Sequence, residues 1–203
     1  MDDLVITIGR EFGSGGRQVG EKLAEELGIG FYDKSLIHLA VAKSGLDPIT
    51  IEKAEEEATS RFLFYLAIGG YVSSGIFSQV NIPISDQVYF AQSKAIEELA
   101  SQGSCVIIGR CANYILRNHP KCVKVFIYGS VKDKLRRIVE EYGIPREEAE
   151  SKMTKMDKGR ANYYQHYTDE VWGNVRSYDL AINTSSTGID GAVTLIQTLV
   201  KNR

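Results

Sequence analysis

The sequence lacks the marks of a secreted, disulfide-linked or membrane-spanning chain. Its three cysteines, Cys105, Cys111 and Cys122, form no C-x-x-C pair, and this odd number without metal-ligand partners fits a reducing cytoplasm. Cys105 and Cys122 lie in or beside apolar runs and are predicted to be buried thiols. The longest apolar stretch, residues 62–72, is too short to cross a bilayer and predicts a core or interface helix. The acidic start, residues 1–4, predicts no secretory signal, so we expect a cytoplasmic protein without a membrane partner.

An excess of charge of either sign is also missing. The chain has 24 Lys and Arg against 26 Asp and Glu, a net charge of -2, so composition gives no argument for nucleic acid as a partner. Any anion site must therefore come from local clustering. With 203 residues, 43% of them hydrophobic, the chain can bury one sizeable core, and we predict a single domain over residues 1–203.

A glycine-rich loop is present, but it lacks its usual lysine. Between Ile6 and Arg17 an apolar, β-branched run ends in a glycine cluster, and a helical pattern follows. Strand, glycine loop and helix in this order build a phosphate cradle. The usual spelling is G-x-x-x-x-G-K-[ST], yet Gly16 and Arg17 stand at the positions of the lysine and the hydroxyl residue. A Rossmann G-x-G-x-x-G fits poorly because Gln18 ends the stretch; a glycine turn without a ligand is the other alternative.

Apolar runs that alternate with helical periodicities predict an α/β fold. The predicted strands are residues 4–8, 105–108, 123–128 and 178–183, with a shorter apolar pair at Ile29 and Phe31. The predicted helices carry apolar stripes within residues 19–27, 36–41, 88–99, 135–142 and 189–200. Because the strands are apolar throughout rather than alternating, we expect a parallel sheet covered by helices on both faces.

Three separate runs of sequence place candidate ligand-binding groups after predicted strands. These are the phosphate loop (residues 9–17), Asp33, and the pair Gly109 and Arg110. In open parallel sheets, ligands bind beyond the carboxyl ends of the strands. The sequence therefore predicts that these groups meet at one edge of the sheet.

Two segments interrupt the alternation. Residues from about 45 to 86 form an insertion, and its Gly/Ser/Asn/Pro-rich part from about 69 to 86 predicts a long loop. Residues from about 145 to 174 form a charged helical stretch whose apolar anchors are Met153 and Met156. A helix with little apolar face packs weakly and can move, as a substrate-closing lid must. A solvated surface helix is the alternative interpretation.

Phosphoryl transfer needs cations and N–H donors more than it needs nucleophiles. Arg17 would offer a bidentate fork to phosphate oxygens, and Arg10 could approach from the other side of the loop. Arg110 is interpreted as a ligand clamp or as the partner of a buried carboxylate. Asp33 could orient an acceptor or a magnesium-bound water, and it could also cap the helix that follows it. The cradle itself would be formed by Gly13, Ser14, Gly15 and Gly16.

Together these residues resemble the P-loop nucleoside monophosphate kinases, and most closely the cytidylate kinase-like family, over nearly the whole chain. Residues 8–17 and 31–34 look like that family's opening signature. Residues 106–110 resemble the G-R-D strand end of true cytidylate kinases, where the arginine holds the acceptor nucleotide. Residues 157–160 match the D-x-x-R part of their lid, where the arginine reaches the transferring phosphate. Residues 178–184 resemble the final strand and its loop.

The resemblance implies ATP-dependent phosphorylation of a nucleoside monophosphate on a three-layer fold, with a five-stranded parallel sheet and a helical lid. Mg²⁺ would be held by phosphates and water, with no metal-binding side chains. The candidate catalytic residues are Arg17, Asp33, Lys155 and Arg160. The candidate acceptor-binding residues are Asp33, Arg110, Asp157 and Arg160. The candidate ATP-binding residues are Arg10, Gly13, Ser14, Gly15, Gly16 and Arg17.

The chain also departs from the family pattern. Gly16 takes the place of the loop lysine, Cys111 replaces the aspartate of G-R-D, and Met153 and Met156 stand where other lid arginines would be. We expect a kinase for a nucleotide such as cytidylate (CMP or dCMP), with small-molecule nucleotides as partners; a homodimer is compatible with this. The alternatives are a kinase for a non-nucleotide metabolite and a nucleotide-binding sensor or interaction module with little turnover.

Overall fold

Five parallel strands form one sheet in the computed structural model, which describes residues 3–35 and 83–203. The strands are β1 (Val5–Arg10), β2 (Gly30–Tyr32), β3 (Cys105–Ile108), β4 (Cys122–Tyr128) and β5 (Leu180–Asn183). Their order across the sheet is β2-β3-β1-β4-β5, so β1 lies in the centre. The predicted five-stranded parallel α/β sheet is confirmed.

Helices connect these strands. They are α1 (Gly16–Leu27), α2 (Ile84–Ser101), α3 (Ala112–Ile115), α4 (Val131–Glu140), α5 (Arg146–Thr168) and α6 (Thr184–Lys201). Local sequence explains several of their ends. Gly28 closes α1 in the left-handed conformation, and the Ser130 hydroxyl caps α4 by accepting the Asp133 N–H. None of the helices within the described residues is both long and apolar enough to cross a membrane.

The core lies on both faces of the sheet, which is why the strands are apolar throughout. On one face, Ile6 and Ile8 of β1 pack in a cluster with Leu23 of α1 and with residues of α6. On the other face, Val5 packs in a cluster with Ile96 of α2 and with residues of α3. All five of these side chains are fully buried, each worth about 1.5–3 kcal/mol relative to exposure. The sheet therefore holds the strand ends in fixed positions.

Several sequence interpretations fall on residues outside the described ranges. They concern the helix predicted at residues 36–41, the apolar stretch at residues 62–72 and most of the insertion at residues 45–86.

The start of α2 lies earlier than the sequence indicated. The helix begins at Ile84, so residues 84–86, which were predicted to lie in the loop, form its first turn. The carbonyl of Pro83 accepts the N–H groups of Asp86 and Gln87 at 3.0 and 3.1 Å. The fixed φ of a proline and an acid in the first turn both favour a helix start here.

All three cysteines are buried free thiols. Burial raises the pKa of Cys105 and of Cys111 to about 12, and it raises the pKa of Cys122 as well. These thiols are therefore neutral at physiological pH, and the prediction that Cys105 and Cys122 are buried is confirmed.

Helix α5 has more apolar anchors than its charge pattern indicated. Its first half buries Ala149 and Met153 in a cluster with Ile138 of α4. Its second half buries Tyr163 and Tyr164 in a cluster beside α3. The large apolar rings of these tyrosines supply the packing surface that a count of methionines leaves out.

Candidate active site

The glycine loop between β1 and α1 turns twice through left-handed backbone. Gly13 has φ 77° and Gly15 has φ 76°. A Cβ atom on Gly13 would lie 2.8 Å from the carbonyl oxygen of Lys134, so a larger residue would not fit. Gly15 is the N-cap of α1, which has no side-chain cap and no acid in its first turn within the described structure. The N–H groups and the positive end of this helix are therefore placed to meet an anion.

Two buried side chains from other elements hold the loop by its carbonyl groups. The Thr184 hydroxyl donates to the carbonyl of Ser14 at 2.7 Å. The Arg137 guanidinium donates to the carbonyl of Gly13 at 2.6 Å. The C=O and the following N–H of a trans peptide point in opposite directions. Because Thr184 holds the carbonyl of Ser14, the N–H of Gly15 in the same peptide group points away from Thr184. Side chains outside the loop therefore fix the orientation of the loop amides.

A buried lysine joins the loop to α5. The Lys134 ammonium donates to the Glu11 carboxylate at 2.9 Å and lies 3.6 Å from the Asp157 carboxylate. Only 7% of the Lys134 side chain is exposed, so its ammonium group is shielded from water. Lys134 and Arg137 were not among the site residues predicted from the sequence. Their available signal was the helical spacing that puts both on the same face of α4 as the buried Ile138.

Helix α5 contacts the backbone of the glycine loop through two side chains. The Asp157 carboxylate accepts the Phe12 N–H at 2.6 Å. The Arg160 guanidinium donates to the Arg10 carbonyl at 3.0 Å and lies 3.6 Å from Asp157. Burial raises the pKa of Asp157, although the Phe12 N–H and the nearby cations oppose this shift. The predicted D-x-x-R pair thus lies directly against the loop.

Three arginines converge at the carboxyl edge of the sheet. Arg10 ends β1, Arg110 follows β3, and Arg160 comes from α5. Burial lowers the pKa of Arg10 well below its usual range, and the charges of Arg160 and Arg110 lower it further. Burial is also the main cause of the lowered pKa of Arg160. Mutual repulsion at a half-buried site favours the binding of an anion with several charges.

The turn after β3 is built from three successive left-handed residues. Gly109, Arg110 and Cys111 have φ values of 72°, 55° and 56°. Such angles are costly for arginine and cysteine, and strained backbone is characteristic of ligand-binding sites. A Cβ on Gly109 would collide with the guanidinium of Arg10, while the Arg110 guanidinium lies 5.6 Å from the ring centre of Tyr163. The turn therefore brings Arg110 and Arg10 to the same edge.

Arg17 and Asp33 form a pair at the side of the loop. The Arg17 guanidinium donates to Asp33 at 3.1 Å and to Glu21 at 2.9 Å, and 55% of its side chain is exposed. Asp33 also accepts the Ser35 N–H at 3.0 Å, which is the hydrogen bond of a helix N-cap.

The structure thus gathers the loop glycines, Ser14, Arg10, Arg110, Asp157 and Arg160 at one place. Lys155 is exposed and takes part in none of the hydrogen bonds or ion pairs of the described residues. No group of three or more His, Cys, Asp or Glu side chains that could hold a metal ion occurs within residues 3–35 and 83–203.

The glycine loop before the first helix and the three-layer α/β arrangement define a P-loop kinase fold. A shikimate kinase from Bacteroides thetaiotaomicron has this fold, with a TM-score of 0.51 at 13% identity over 99% of both chains. The structure of an uncharacterized protein from Eubacterium ventriosum is more similar, with a TM-score of 0.73 at 30% identity over 98% of this chain and 99% of the other.

The chain belongs to the cytidylate kinase-like family, whose family model matches residues 5–186. A cytidylate kinase from Pyrococcus horikoshii is 24% identical over 200 residues, covering 98% of this chain and 89% of the relative. Family and fold together support a kinase of a nucleotide or of another small molecule.

Proposed function

We propose that the protein transfers a phosphoryl group from ATP to a nucleoside monophosphate, with CMP or dCMP as the first acceptor to test. The observation that carries this proposal is the convergence of Arg10, Arg110 and Arg160 beside the glycine loop. A site for two phosphate-bearing molecules needs several cations in a small space. The relatives named cytidylate kinase favour CMP among the possible acceptors.

In this reaction the terminal phosphoryl group of ATP breaks its bond to the oxygen of the β-phosphate, which leaves ADP, and it joins a phosphate oxygen of the acceptor. Residues 13–16 fit the phosphates of ATP, because their backbone is left-handed at two glycines and opens the uncapped end of α1. Mg²⁺ would be held by phosphates and water, as the family resemblance implies. Its contribution would be to neutralise phosphate charge.

The arginines have separate roles in this proposal. Arg110 would hold the acceptor phosphate, because its strained turn fixes it at the end of β3. Arg160 would neutralise charge on the transferring group, because it already reaches the loop backbone. Asp157 would orient Arg160 and bring α5 onto the loop, which excludes water from the site.

Three further residues complete the proposal. Asp33 would orient the acceptor from the end of β2. Arg17, which donates to the Asp33 carboxylate, would hold that carboxylate in place. Lys155 is exposed in this structure and would act only after a movement of α5 that brings it toward the site.

A coupled assay of ADP release tests the function directly. The wild-type protein is incubated with ATP and Mg²⁺ and with each common nucleoside monophosphate, then with small hydroxyl and phosphate metabolites. We expect release with a nucleoside monophosphate, and CMP or dCMP should give the highest kcat/KM. A folded protein that releases ADP with none of these acceptors contradicts the proposal, and release with a metabolite alone assigns a non-nucleotide acceptor.

A nucleotide-binding module without turnover is the second candidate. The loop has no lysine, and Arg17, which follows Gly16, is engaged with Asp33 and Glu21. These two features favour this candidate. For such a module, ATP would raise the melting temperature without any release of ADP. The thermal shift and the coupled assay on the same preparation separate the two functions.

A further inference from the structure

Two positions of the phosphate loop have exchanged residue types. In the motif G-x-x-x-x-G-K, the first glycine stands six positions before the lysine. Here Gly16 stands at the lysine position, and the residue six positions earlier is Arg10. The chain thus carries a cation where the motif has glycine and a glycine where the motif has a cation.

The structure shows why these two positions depend on each other. A Cβ atom on Gly16 would lie 2.5 Å from the Cβ of Arg10 and 3.0 Å from its Cγ. Contacts this short do not occur in folded proteins, so the stem of Arg10 fills the space that a side chain at position 16 would need. A lysine at position 16 and an arginine at position 10 exclude each other.

The charged end of Arg10 lies at the carboxyl edge of the sheet, beside the turn that follows β3. Its guanidinium packs against Gly109. Burial lowers the pKa of Arg10, the charges of Arg160 and Arg110 lower it further, and the carboxylates of Asp33 and Asp157 oppose this shift. The backbone of Arg10 also accepts a hydrogen bond from Arg160. Arg17, by contrast, donates to Asp33 and Glu21 and is half exposed.

We infer that Arg10 replaces the missing loop lysine as the cation that binds the phosphates of ATP. The inference rests on the proposed function, and it deepens that function by assigning the loop cation to the end of β1 rather than to the start of α1. It also explains Gly16, which makes room for the stem of Arg10.

Binding of ATP·Mg²⁺ by calorimetry, with circular dichroism as a check of folding, tests the inference. Arg10→Met keeps a long apolar stem and removes the charge, and we expect the Kd to rise about ten- to hundredfold. Arg17→Met should give a smaller rise than Arg10→Met. Arg136→Met, at an exposed arginine of α4, is the matched control for the loss of one positive charge.

The exchange can also be reversed. The double variant Arg10→Gly/Gly16→Lys restores both motif positions and removes the Cβ that position 16 would meet. We expect it to bind ATP at least tenfold more tightly than Arg10→Gly alone, because the lysine resupplies the charge. Arg10→Ala/Gly16→Lys is the steric control: it keeps the 2.5 Å contact and should recover less.

The outcomes separate the inference from the proposed function. A larger loss of affinity in Arg17→Met than in Arg10→Met overturns the inference, and so does unchanged affinity in Arg10→Met. If the variants with glycine at position 10 do not fold, the two methionine variants decide. A wild-type protein that does not bind ATP overturns the function and the inference together. A wild-type protein that binds ATP without turnover overturns the kinase function only.

Discussion

The tripeptide Ile-Gly-Arg occurs at the ends of two neighbouring strands and adopts a different structure in each. Ile8–Arg10 ends β1 and Ile108–Arg110 ends β3, with Ile8 and Ile108 in register. In the first copy the strand continues through the arginine, because β4 pairs with it as far as Ile127. In the second copy the strand ends at the isoleucine, and the glycine and arginine turn into left-handed backbone.

The two glycines are required for different reasons. A Cβ on Gly9 would lie 2.9 Å from the ring of Phe126 on the adjacent strand. A Cβ on Gly109 would meet the guanidinium of Arg10, and its φ is positive. The same three residues thus give an extended strand or a sharp turn, depending on which neighbours they have. Four predictions test this difference, from the largest expected effect to the smallest.

The two arginines should differ in which substrate they serve. For Arg110→Ala we expect the kcat/KM for the acceptor to fall by on the order of 10²–10³, because the acceptor loses its clamp. The Kd for ATP should stay close to the wild-type value. Steady-state kinetics with varied acceptor, and calorimetry with ATP, measure the two effects.

Arg117→Ala is the control for this experiment, because Arg117 is an exposed arginine on the ring of Tyr114. If Arg110→Ala weakened ATP binding and left acceptor use unchanged, the assignment of the two copies would have to be reversed.

The glycine loop that follows Ile8–Arg10 is held by side chains from other elements. Removal of one of these side chains should lower the free energy of unfolding. Arg137→Met leaves the carbonyl of Gly13 without its donor, at a cost of about 2 kcal/mol in the free energy of unfolding. Arg136→Met, one residue away and half exposed, should change it by less than about 0.5 kcal/mol. Urea denaturation measures both. Equal effects would mean that the hydrogen bond to the loop carries no stability.

The alanine and glycine variants at positions 10 and 110 should rank in opposite order of stability. Position 110 is left-handed, so Arg110→Gly should be more stable than Arg110→Ala by about 1 kcal/mol. Position 10 is extended, so Arg10→Ala should be more stable than Arg10→Gly by about 0.5–1 kcal/mol. Thermal unfolding of the four variants gives the ranking, and the same order at both positions would refute the difference in backbone.

The smallest effect concerns Asp157 beside the β1 copy. Burial raises its pKa in the folded state, so the ionised form reduces stability at neutral pH. This cost is relieved as the pH falls through the folded pKa, and the relief is complete below the unfolded value. Relative to Asp157→Asn, the wild type should therefore gain stability as the pH is lowered from 7 toward 4. Urea denaturation across this range checks the sign, and an opposite slope would show that the neighbouring cations outweigh burial.

Much of the fold could be read from local sequence. The continuous apolar runs around Val5 and Ile107 indicate strands buried on both faces, and periodic positions such as Leu23 and Ile196 indicate helices that cover them. These patterns predict the elements correctly because the burial of apolar area is the dominant favourable term in folding. The start of α2 was misplaced because proline and polar residues are common both in loops and at helix starts.

The backbone of the candidate site could be predicted from the sequence, but the side chains that support it could not. Glycines and arginines after strands mark the sheet edge, so the loop and Arg110 were predicted to lie there. Arg160 was predicted from the D-x-x-R pattern of the resemblance, and the structure places it against the loop. Lys134 and Arg137 were missed, because a charged residue on an amphipathic helix normally faces solvent. Only the packing of α4 against the loop gives these cations buried partners.

The sequence by itself determined the order of strands and helices, the glycine loop and the absence of its lysine. These depend on local composition and spacing. The tertiary structure decided which cation lies beside that loop, because Arg10 and Gly16 contact each other only when β1 and α1 fold together. It also decided that one Ile-Gly-Arg stays extended while the other turns, because strand pairing beyond Ile8 exists on the β4 side and stops on the β3 side.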